Sequence, residues 1–286
     1  MPKPPARTLA HDERARRSLR GACRPPIVRV AALSELAGVA HGISTRHGGA
    51  SVGPFASLNL GLHVGDDPVA VVENRRRVGA ALGLPLEHLV FASQVHGGEV
   101  AVVGREHRGR GVRDHATAIP GADALVTDAR GVGLVVLVAD CAPILLADPV
   151  AGAIGVVHAG WRGLAVDVAG RAVRTMAAAL GTRPADVRAV IGPCIGAADY
   201  AVGGDVVEVM AARFGAPASA WFSAGDGGAR SLDLAAAARD QLRWAGVVDA
   251  RIQTSVISTA VDERFYSHRA SGGRTGRFGG VIALVP

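Results

Sequence analysis

The sequence predicts an α/β protein with a single domain, a mixed β-sheet and helices packed against that sheet. Of the 286 residues, 49% are apolar, which is enough for a sizeable core. Short apolar runs bounded by Gly or Pro dominate the middle of the chain, as expected of strands. Segments with helical spacing alternate with these runs only in part, so a mixed sheet is favoured over a fully parallel one.

Residues 1–26 differ in composition from the rest of the chain. They mix Arg and Pro, and they lack the apolar stretch and small-residue cleavage site of a secretory signal. We expect a disordered, basic, Pro-rich tail over 1–26. No linker is evident within 27–286, so we expect one domain there.

The elements of this domain follow from hydrophobic spacing and turn residues. The first strands should be VRVAAL and VAHGIST, followed by a Gly- and Ser-rich loop at 46–61. The segment 66–84 starts with Asp-Asp-Pro, spaces its apolar residues by three and four, and stops at Gly, which predicts an amphipathic helix. Strands are then expected at LVFASQVHG, EVAVVG, ADALVTD, GLVVLVAD, PILLADP and AIGVVHAG, with a basic loop at 105–120. The rest of the chain should add helices at 164–180, 204–215 and 232–246, and strands at VRAVIGP, RIQTSVIS and GGVIALV.

Charge and composition argue against several classes of protein. No apolar run reaches the roughly 18 residues needed to span a bilayer. Much of the formal charge of +6 comes from the tail and the basic loop, and aromatic residues are few, so nucleic-acid binding is not expected. The three cysteines, an odd number, favour a reducing compartment over a disulfide framework, and we expect a cytoplasmic protein.

Three metal-capable side chains each lie where an apolar strand gives way to a turn: His96 in SQVHG, Cys141 in VADCAP and His158 in GVVHAGWRG. Strand ends are held by the core yet face the crevice where loops gather, which suits a preorganised site. Two imidazoles and one thiolate would form a three-ligand zinc site with a fourth position open for water or substrate. Zinc would lower the pKa of bound water and so provide a nucleophile at neutral pH.

Two further interpretations of the same residues remain open. Cys141 could be a nucleophile activated by His96 or His158, which predicts a covalent intermediate. Asp140 or Asp123 would then orient the imidazole. Alternatively, the spacing allows two core histidines and a small buried hydrophobe, because the three residues match no compact zinc motif.

Two arginines indicate an anion site. Arg46 lies beside two glycines in STRHGGAS, and Arg162 immediately precedes an expected helix. Guanidinium groups and the N–H groups of a helix start can both receive phosphate or another oxyanion. Both arginines could equally be surface or ion-pair residues. Asn59 in SLNLG could line the same pocket or cap local structure.

Two later segments also carry reactive side chains. Cys194 in IGPCIG is expected to be a buried thiol at a structural turn. The loop FYSHRASGGRTGRF brings together His268, Arg269 and Arg277, and it permits substrate contacts without requiring them.

Several motifs, taken in order, resemble one known family. They are HGISTRHGGAS, SLNLG, SQVHG, ADALVTD, ADCAPILLADP, VVHAGWRG, IGPCIG and FYSHRASGGRTGRFGGVIAL. The series is similar to the YfiH family, also known as laccase-domain or polyphenol oxidase proteins. An ordered series of motifs is far more specific than any one of them.

The resemblance implies a single α/β domain with a zinc site formed by His96, Cys141 and His158, which copper could also occupy. It further implies a purine nucleoside phosphorylase that splits adenosine, inosine and methylthioadenosine with phosphate, and that also deaminates adenosine. Its partners would be small molecules. Many relatives have a Cys-Thr pair where this chain has Ser258-Thr259, and a Thr where it has Val138, so a thiol and a hydroxyl contact are not expected there.

The number of histidines disfavours a true laccase. A trinuclear copper cluster and a blue-copper site together consume about ten histidines in closely spaced pairs. The chain has 10 histidines in all, and none lies in an H-x-H pair. The same residues also allow a cysteine hydrolase or amidase acting through Cys141, or a non-catalytic binding protein.

Overall fold

The computed structural model describes residues 25–224 and 229–285, which form strands, α-helices and connecting turns. The strands are β1 (Ile27–Val28), β2 (Val39–Ser44), β3 (Leu89–Ser93), β4 (Val100–Val102), β5 (Ile119–Pro120), β6 (Ala124–Thr127), β7 (Gly133–Val138), β8 (Ala142–Asp148), β9 (Ala153–Ala159), β10 (Arg188–Ile191), β11 (Ala201–Val202), β12 (Phe222–Ala224), β13 (Arg230–Leu232), β14 (Ile252–Thr254) and β15 (Phe278–Leu284). The helices are α1 (Ala31–Ser34), α2 (Pro68–Ala81), α3 (Trp161–Ala165), α4 (Val168–Leu180), α5 (Gly204–Phe214) and α6 (Leu234–Trp244).

Two six-stranded sheets contain most of the strands, and both are mixed. The first has the order β1-β2-β15-β7-β3-β5, in which β7, β3 and β5 are parallel and the other neighbours antiparallel. The second, β14-β10-β8-β9-β6-β4, is antiparallel from β10 to β6 and has a parallel pair at each edge. A small third sheet has the order β11-β13-β12. The predicted mixed α/β architecture is confirmed, although the strands divide into separate sheets.

The two large sheets pack against each other through fully buried strands. Side chains of β7, β8, β9 and β15 form an apolar cluster between the sheets, which includes Leu134, Leu145, Ile154 and Ile282. Every residue of these four strands is buried. Strands covered on both faces are apolar at most positions, which explains why the sequence shows nearly continuous apolar runs here rather than alternation.

Helices cover the outer faces of the two sheets. On the first sheet, Val78 of α2 packs in one cluster with Leu137 of β7. On the second, Val173 of α4 and Ala238 of α6 pack in one cluster with Val157 of β9. The described residues therefore form four layers, α/β/β/α, and the loops at the ends of the central strands are left to form a site.

The structure differs from the sequence prediction at three elements. Of VRVAAL, residues 28–33, only Val28 lies in a strand, as the second residue of β1, and α1 takes up the second half of the segment. The helix expected over 164–180 is split between α3 and α4 because Asp167 adopts φ +63° in the left-handed region. The third sheet was not predicted, because strands of two or three residues carry too little periodicity to be recognised.

Some expectations concern residues outside the described part of the chain. Residues 1–24 of the expected tail, with Cys23, fall there, and the domain boundary at residue 27 stays a prediction. Within the described residues, no helix combines the length and apolar character needed to cross a bilayer.

Candidate active site

A cleft of about 520 Å³ lies beside the ends of three central strands. Its wall includes His96, Cys141 and His158. His96 follows β3, Cys141 lies between β7 and β8, and His158 is the penultimate residue of β9. The strands of both large sheets therefore bring together three residues that are far apart in the sequence.

The three side chains are close enough to bind one metal ion. An imidazole nitrogen of His96, an imidazole nitrogen of His158 and the sulfur of Cys141 all lie within 4.8 Å of one another. The two rings meet edge to face with centroids 4.6 Å apart. His96 is exposed whereas His158 is buried, so the group is open on one side. These donors, with one open side, are what a catalytic zinc site requires.

Asp123 holds both imidazoles in position. Its carboxylate is buried and accepts hydrogen bonds from the backbone N–H groups of His96 at 2.9 Å and Gly97 at 2.6 Å. These bonds stabilise a turn in which His96 has φ +62°, a conformation uncommon for residues other than glycine. The same carboxylate lies 2.8 Å from Nδ1 of His158. With the proton on Nδ1, Nε2 of His158 is free to bind a metal.

Gly160 makes room for the sulfur. A Cβ atom at this position would lie 2.8 Å from Sγ of Cys141 and 3.3 Å from Cδ2 of His96. The backbone of Gly160 is extended, with φ −84°, so the glycine is required by close approach rather than by its backbone conformation. This gives a physical reason for Gly in the HAGWRG motif.

In the metal-free protein, the surroundings favour the negative thiolate of Cys141 and the positive imidazolium of His158. Burial would raise the pKa of the Cys141 thiol, but the adjacent His158 and then His96 lower that pKa to about 6. Burial would likewise lower the pKa of His158, but the Cys141 sulfur and the Asp123 carboxylate raise it to about 9. At neutral pH the sulfur is therefore a thiolate, which is the form that binds metals and attacks electrophiles.

We expect iodoacetamide to alkylate Cys141 of chelator-treated protein with a half-maximal rate near pH 6, because the thiolate is the reactive form. The rate of alkylation should fall as the pH drops below about 6. An ordinary cysteine thiol reaches half-maximal reactivity only at about pH 8.5. Peptide mass spectrometry would locate the label. Cys194 is an internal control, since burial raises its pKa to about 12. A profile for Cys141 centred above pH 8 would contradict the thiolate–imidazolium pair.

Three arginines line the same cleft: Arg162, Arg269 and Arg277. The guanidinium of Arg162 lies 4.5 Å from the ring centroid of Trp161, at the start of α3. The guanidinium of Arg269 lies 5.0 Å from the ring centroid of Tyr200. Several positive groups on one concave wall attract anions and raise their local concentration. The structure thus places Arg162 in the cleft, together with two arginines of the late loop.

Arg46 and Asn59, by contrast, lie outside the cleft. Nε of Arg46 donates to the carbonyl of Ala56 at 3.0 Å, and its guanidinium lies 4.8 Å from the ring centroid of Tyr266, in a neighbouring pocket. Asn59 is fully buried. Its Oδ1 accepts a hydrogen bond from the backbone N–H of Arg277 at 2.8 Å. Asn59 therefore supports the loop that carries a cleft arginine.

The cleft also contains side chains without a sequence signal, among them His63, His115 and Tyr200. The rings of His63 and His115 have centroids 5.3 Å apart, and Nε2 of His115 lies 3.4 Å from Oγ of Ser93. Partial burial, and then the positive charge of Arg277, lower the pKa of His63, so this imidazole is neutral at pH 7. Neither histidine follows an apolar strand, so the pattern of strand ends does not identify them.

The family described as multi-copper polyphenol oxidoreductase laccase matches residues 40–285. The chain belongs to this family. Its membership confirms the resemblance of the motifs to the YfiH, or laccase-domain, proteins.

Several laccase-domain relatives are named as purine nucleoside phosphorylases. The purine nucleoside phosphorylase YlmD of Geobacillus stearothermophilus is 44% identical over 242 residues, which cover 84% of this chain and 88% of that protein. The purine nucleoside phosphorylase of Deinococcus radiodurans is 43% identical over 249 residues, covering 86% and 89% of the two chains.

Solved structures of laccase-domain proteins share the fold. YlmD from Geobacillus stearothermophilus aligns with a TM-score of 0.83 and 41% identity over 90% of this chain and 94% of that one. The Bacillus licheniformis hypothetical protein YfiH aligns with a TM-score of 0.87 and 34% identity over 91% and 97%. The arrangement of two sheets and flanking helices is therefore a property of the family.

The structure locates Ser258 and Val138, the two positions that the family resemblance singled out in this laccase-domain chain. Oγ of Ser258 donates to Asp199 at 2.6 Å and accepts from the backbone N–H of Gly196 at 2.9 Å. Val138 is buried on the wall of the cleft. Cys194 is a buried thiol beside Ser258, to which its backbone is bridged. The expectation of a structural turn at Cys194 agrees with this geometry.

Proposed function

We propose that the chain is a zinc-dependent purine nucleoside phosphorylase that cleaves adenosine, inosine and methylthioadenosine with phosphate, and that also deaminates adenosine. The observation that carries this proposal is the group of His96, Cys141 and His158 in one cleft with three arginines. The names of the relatives support the class of reaction. Small molecules would be the partners, and the reducing cytoplasm would be the compartment.

The donor set fits zinc. Asp123 leaves Nε2 of His158 available, and the low pKa of Cys141 favours the thiolate that the metal requires. When bound, zinc would act as a Lewis acid and lower the pKa of a water molecule. Copper(II) would compete for the same nitrogen and sulfur donors because it binds them more tightly.

Phosphorolysis replaces the bond between C1′ of the ribose and N9 of the purine with a bond between C1′ and a phosphate oxygen. Arg162, Arg269 and Arg277 would hold the phosphate by charge-assisted hydrogen bonds and orient it towards C1′. The purine leaves with the bonding electron pair and then takes up a proton. Holding both reactants in one cleft removes much of the entropic cost of bringing them together.

His63, whose imidazole is neutral at pH 7, and the adjacent His115 are candidates for contacting the purine. A neutral imidazole carries one donor and one acceptor, so it can hydrogen-bond to the edge of a base and move a proton. In phosphorolysis, a proton must reach the departing purine. In deamination, the oxygen of water replaces the C6 amino group, which leaves as ammonia, and a nearby group must relay the protons.

One observation favours a second candidate, a cysteine hydrolase. Cys141, His158 and Asp123 form a continuous series in which the carboxylate orients the imidazole beside a thiolate. This is the arrangement of an activated nucleophile, and Asp123 rather than Asp140 is the residue that contacts the histidine. A cysteine hydrolase would remain active after treatment with a chelator, and iodoacetamide would inactivate it. The proposed phosphorylase should lose activity on chelation and regain it with zinc.

The donor geometry does not favour laccase chemistry, despite the description of the family. Within the described residues, one group of three or more His, Cys, Asp or Glu side chains is close enough to hold a metal ion. Multicopper oxidation needs a trinuclear cluster and a separate blue-copper site. Oxidation of a phenol by the zinc- or copper-loaded protein would be the observation that restores laccase chemistry as a candidate.

Replacing Arg162 or Arg277 with Ala should raise the KM for phosphate on the order of tenfold, because each change removes a charge-assisted contact to the anion. The KM for adenosine should change much less. Initial rates over a range of phosphate concentrations would measure both constants. Arg213→Ala is a matched control, since Arg213 is exposed on α5. A phosphate KM within twofold of wild type in both cleft variants would contradict the assignment.

A further inference from the structure

Asp140 joins the turn that carries Cys141 to the loop that carries Arg269. Its Oδ1 accepts a hydrogen bond from the hydroxyl of Thr259 at 2.7 Å, and its Oδ2 accepts one from the backbone N–H of Arg269 at 2.7 Å. Its backbone carbonyl accepts a third bond from the N–H of Ile195 at 2.9 Å. One residue therefore connects three segments around the cleft.

The backbone of Asp140 is strained. Its φ is +86°, in the left-handed region that L side chains disfavour. The residue is 8% exposed, although it lines the cleft. Such strain persists where surrounding contacts hold it, and it is concentrated at functional sites. The three hydrogen bonds of Asp140 provide this hold.

Arg269 is fixed at two other points besides Asp140. One terminal nitrogen of its guanidinium donates to the carbonyl of Ala201 at 3.0 Å, and the guanidinium lies over the ring of Tyr200. These contacts determine the direction of the side chain, while Asp140 determines where the backbone of Arg269 lies. Preorganised donors bind an anion more tightly because less conformational freedom is lost on binding.

We propose that Asp140 is a positioning residue that holds the backbone of Arg269 so that its guanidinium can receive the phosphate. This rests on the proposed function, in which the anion is phosphate. Both carboxylate oxygens of Asp140 already accept hydrogen bonds, and within the described residues no histidine is hydrogen-bonded to it. Asp140 therefore acts through Arg269 and does not transfer protons to the substrate.

Two substitutions separate positioning from proton transfer. Asp140→Asn keeps an oxygen for the N–H of Arg269, and its new NH₂ group can donate to the Thr259 hydroxyl, which also accepts. Asn also tolerates the left-handed region. Asp140→Gly removes the side chain at a φ that suits glycine, so it abolishes both contacts without adding backbone strain. A proton-transfer role would be lost in both variants, whereas a positioning role is lost only in the second.

Asp148 provides a matched control. It lies at the opposite end of β8 from the cleft and is 2% exposed. Its Oδ1 accepts from the backbone N–H groups of Val150 at 2.8 Å and Ala151 at 3.1 Å. Asp148→Ala therefore removes another buried carboxylate with two local contacts, at the end of β8 away from the cleft.

The test titrates inorganic phosphate into the zinc-loaded protein by calorimetry and measures kcat, KM and zinc content for wild type and the three variants. Asp140→Gly should raise both the Kd and the KM for phosphate by about tenfold, with kcat within about threefold and zinc retained. Asp140→Asn should stay within about twofold of wild type in all of these quantities. Asp148→Ala should bind phosphate like wild type even where its Tm falls.

Several results would overturn the inference. A kcat of Asp140→Asn as low as that of Cys141→Ala would show that Asp140 transfers a proton rather than positions Arg269. Loss of zinc in Asp140→Gly would show that Asp140 supports Cys141 alone. Unchanged phosphate affinity in Asp140→Gly, or equal weakening in Asp148→Ala, would remove any specific link to Arg269. If wild type binds phosphate but cleaves no nucleoside, the proposed function fails while the phosphate titration still decides the role of Asp140.

Discussion

Cys141→Ala should remove the bound metal and lower kcat/KM for adenosine phosphorolysis on the order of a thousandfold. The sulfur lies within 4.8 Å of a nitrogen from each of two histidines, and in the described part of the chain no other His, Cys, Asp or Glu side chain belongs to this group to replace it. Metal analysis of the purified variant and the rate of adenine release with phosphate would measure the two effects. Cys194→Ala, a change at a buried thiol outside the cleft, should retain the metal.

Activity loss alone would not separate the metal site from a cysteine nucleophile, because both depend on Cys141. The metal content of the variant and the response of wild type to a chelator separate them. A Cys141→Ala protein that keeps its zinc and loses activity would favour the nucleophile. A variant that keeps both would contradict any role for Cys141.

Asp123→Ala should lower zinc affinity by about 10- to 100-fold, because the carboxylate that orients a ligand histidine is lost. It should also lower the free energy of unfolding by roughly 3 kcal/mol or more, since backbone N–H groups of His96 and Gly97 and Nδ1 of His158 lose a buried partner. Zinc titration with a competing chelator and denaturant unfolding of the metal-free protein would measure these changes separately.

Asp123→Asn is the graded control for this prediction. Its amide keeps one acceptor oxygen but places an NH₂ group against a donor, so its stability and zinc affinity should fall between those of wild type and Asp123→Ala. An Asp123→Ala protein with unchanged zinc affinity would show that His158 needs no help from the carboxylate.

The strand ends were the most informative part of the sequence. His96, Cys141 and His158 each close an apolar run, and because those runs are buried strands of two packed sheets, their ends meet in one cleft. The sequence offers Asp140 or Asp123 as the acid that orients an imidazole, but it does not identify Asp123 as the one that does so. The partners of Asp123 lie 26 to 35 residues away in the sequence, and the contact depends on how β6 pairs with β9.

The positions of the arginines show where local sequence patterns fail. Arg46 lies beside glycines, but its guanidinium points to Ala56 and Tyr266, contacts that the loop conformation determines. Arg269 and Arg277 reach the cleft because the late loop returns to the central sheet through β15. Hydrophobic spacing identifies strands, but it does not report which sheet a strand joins or which wall a loop forms.

The most direct test of the central claim is metal analysis of the purified protein combined with an assay for phosphate-dependent release of adenine from adenosine. We expect about one zinc ion per chain, as for a mononuclear catalytic site, and formation of ribose 1-phosphate that stops on chelation and returns with zinc. Metal-free protein that cleaves adenosine at an undiminished rate, or zinc-loaded protein that is inert towards purine nucleosides with phosphate, would contradict the account.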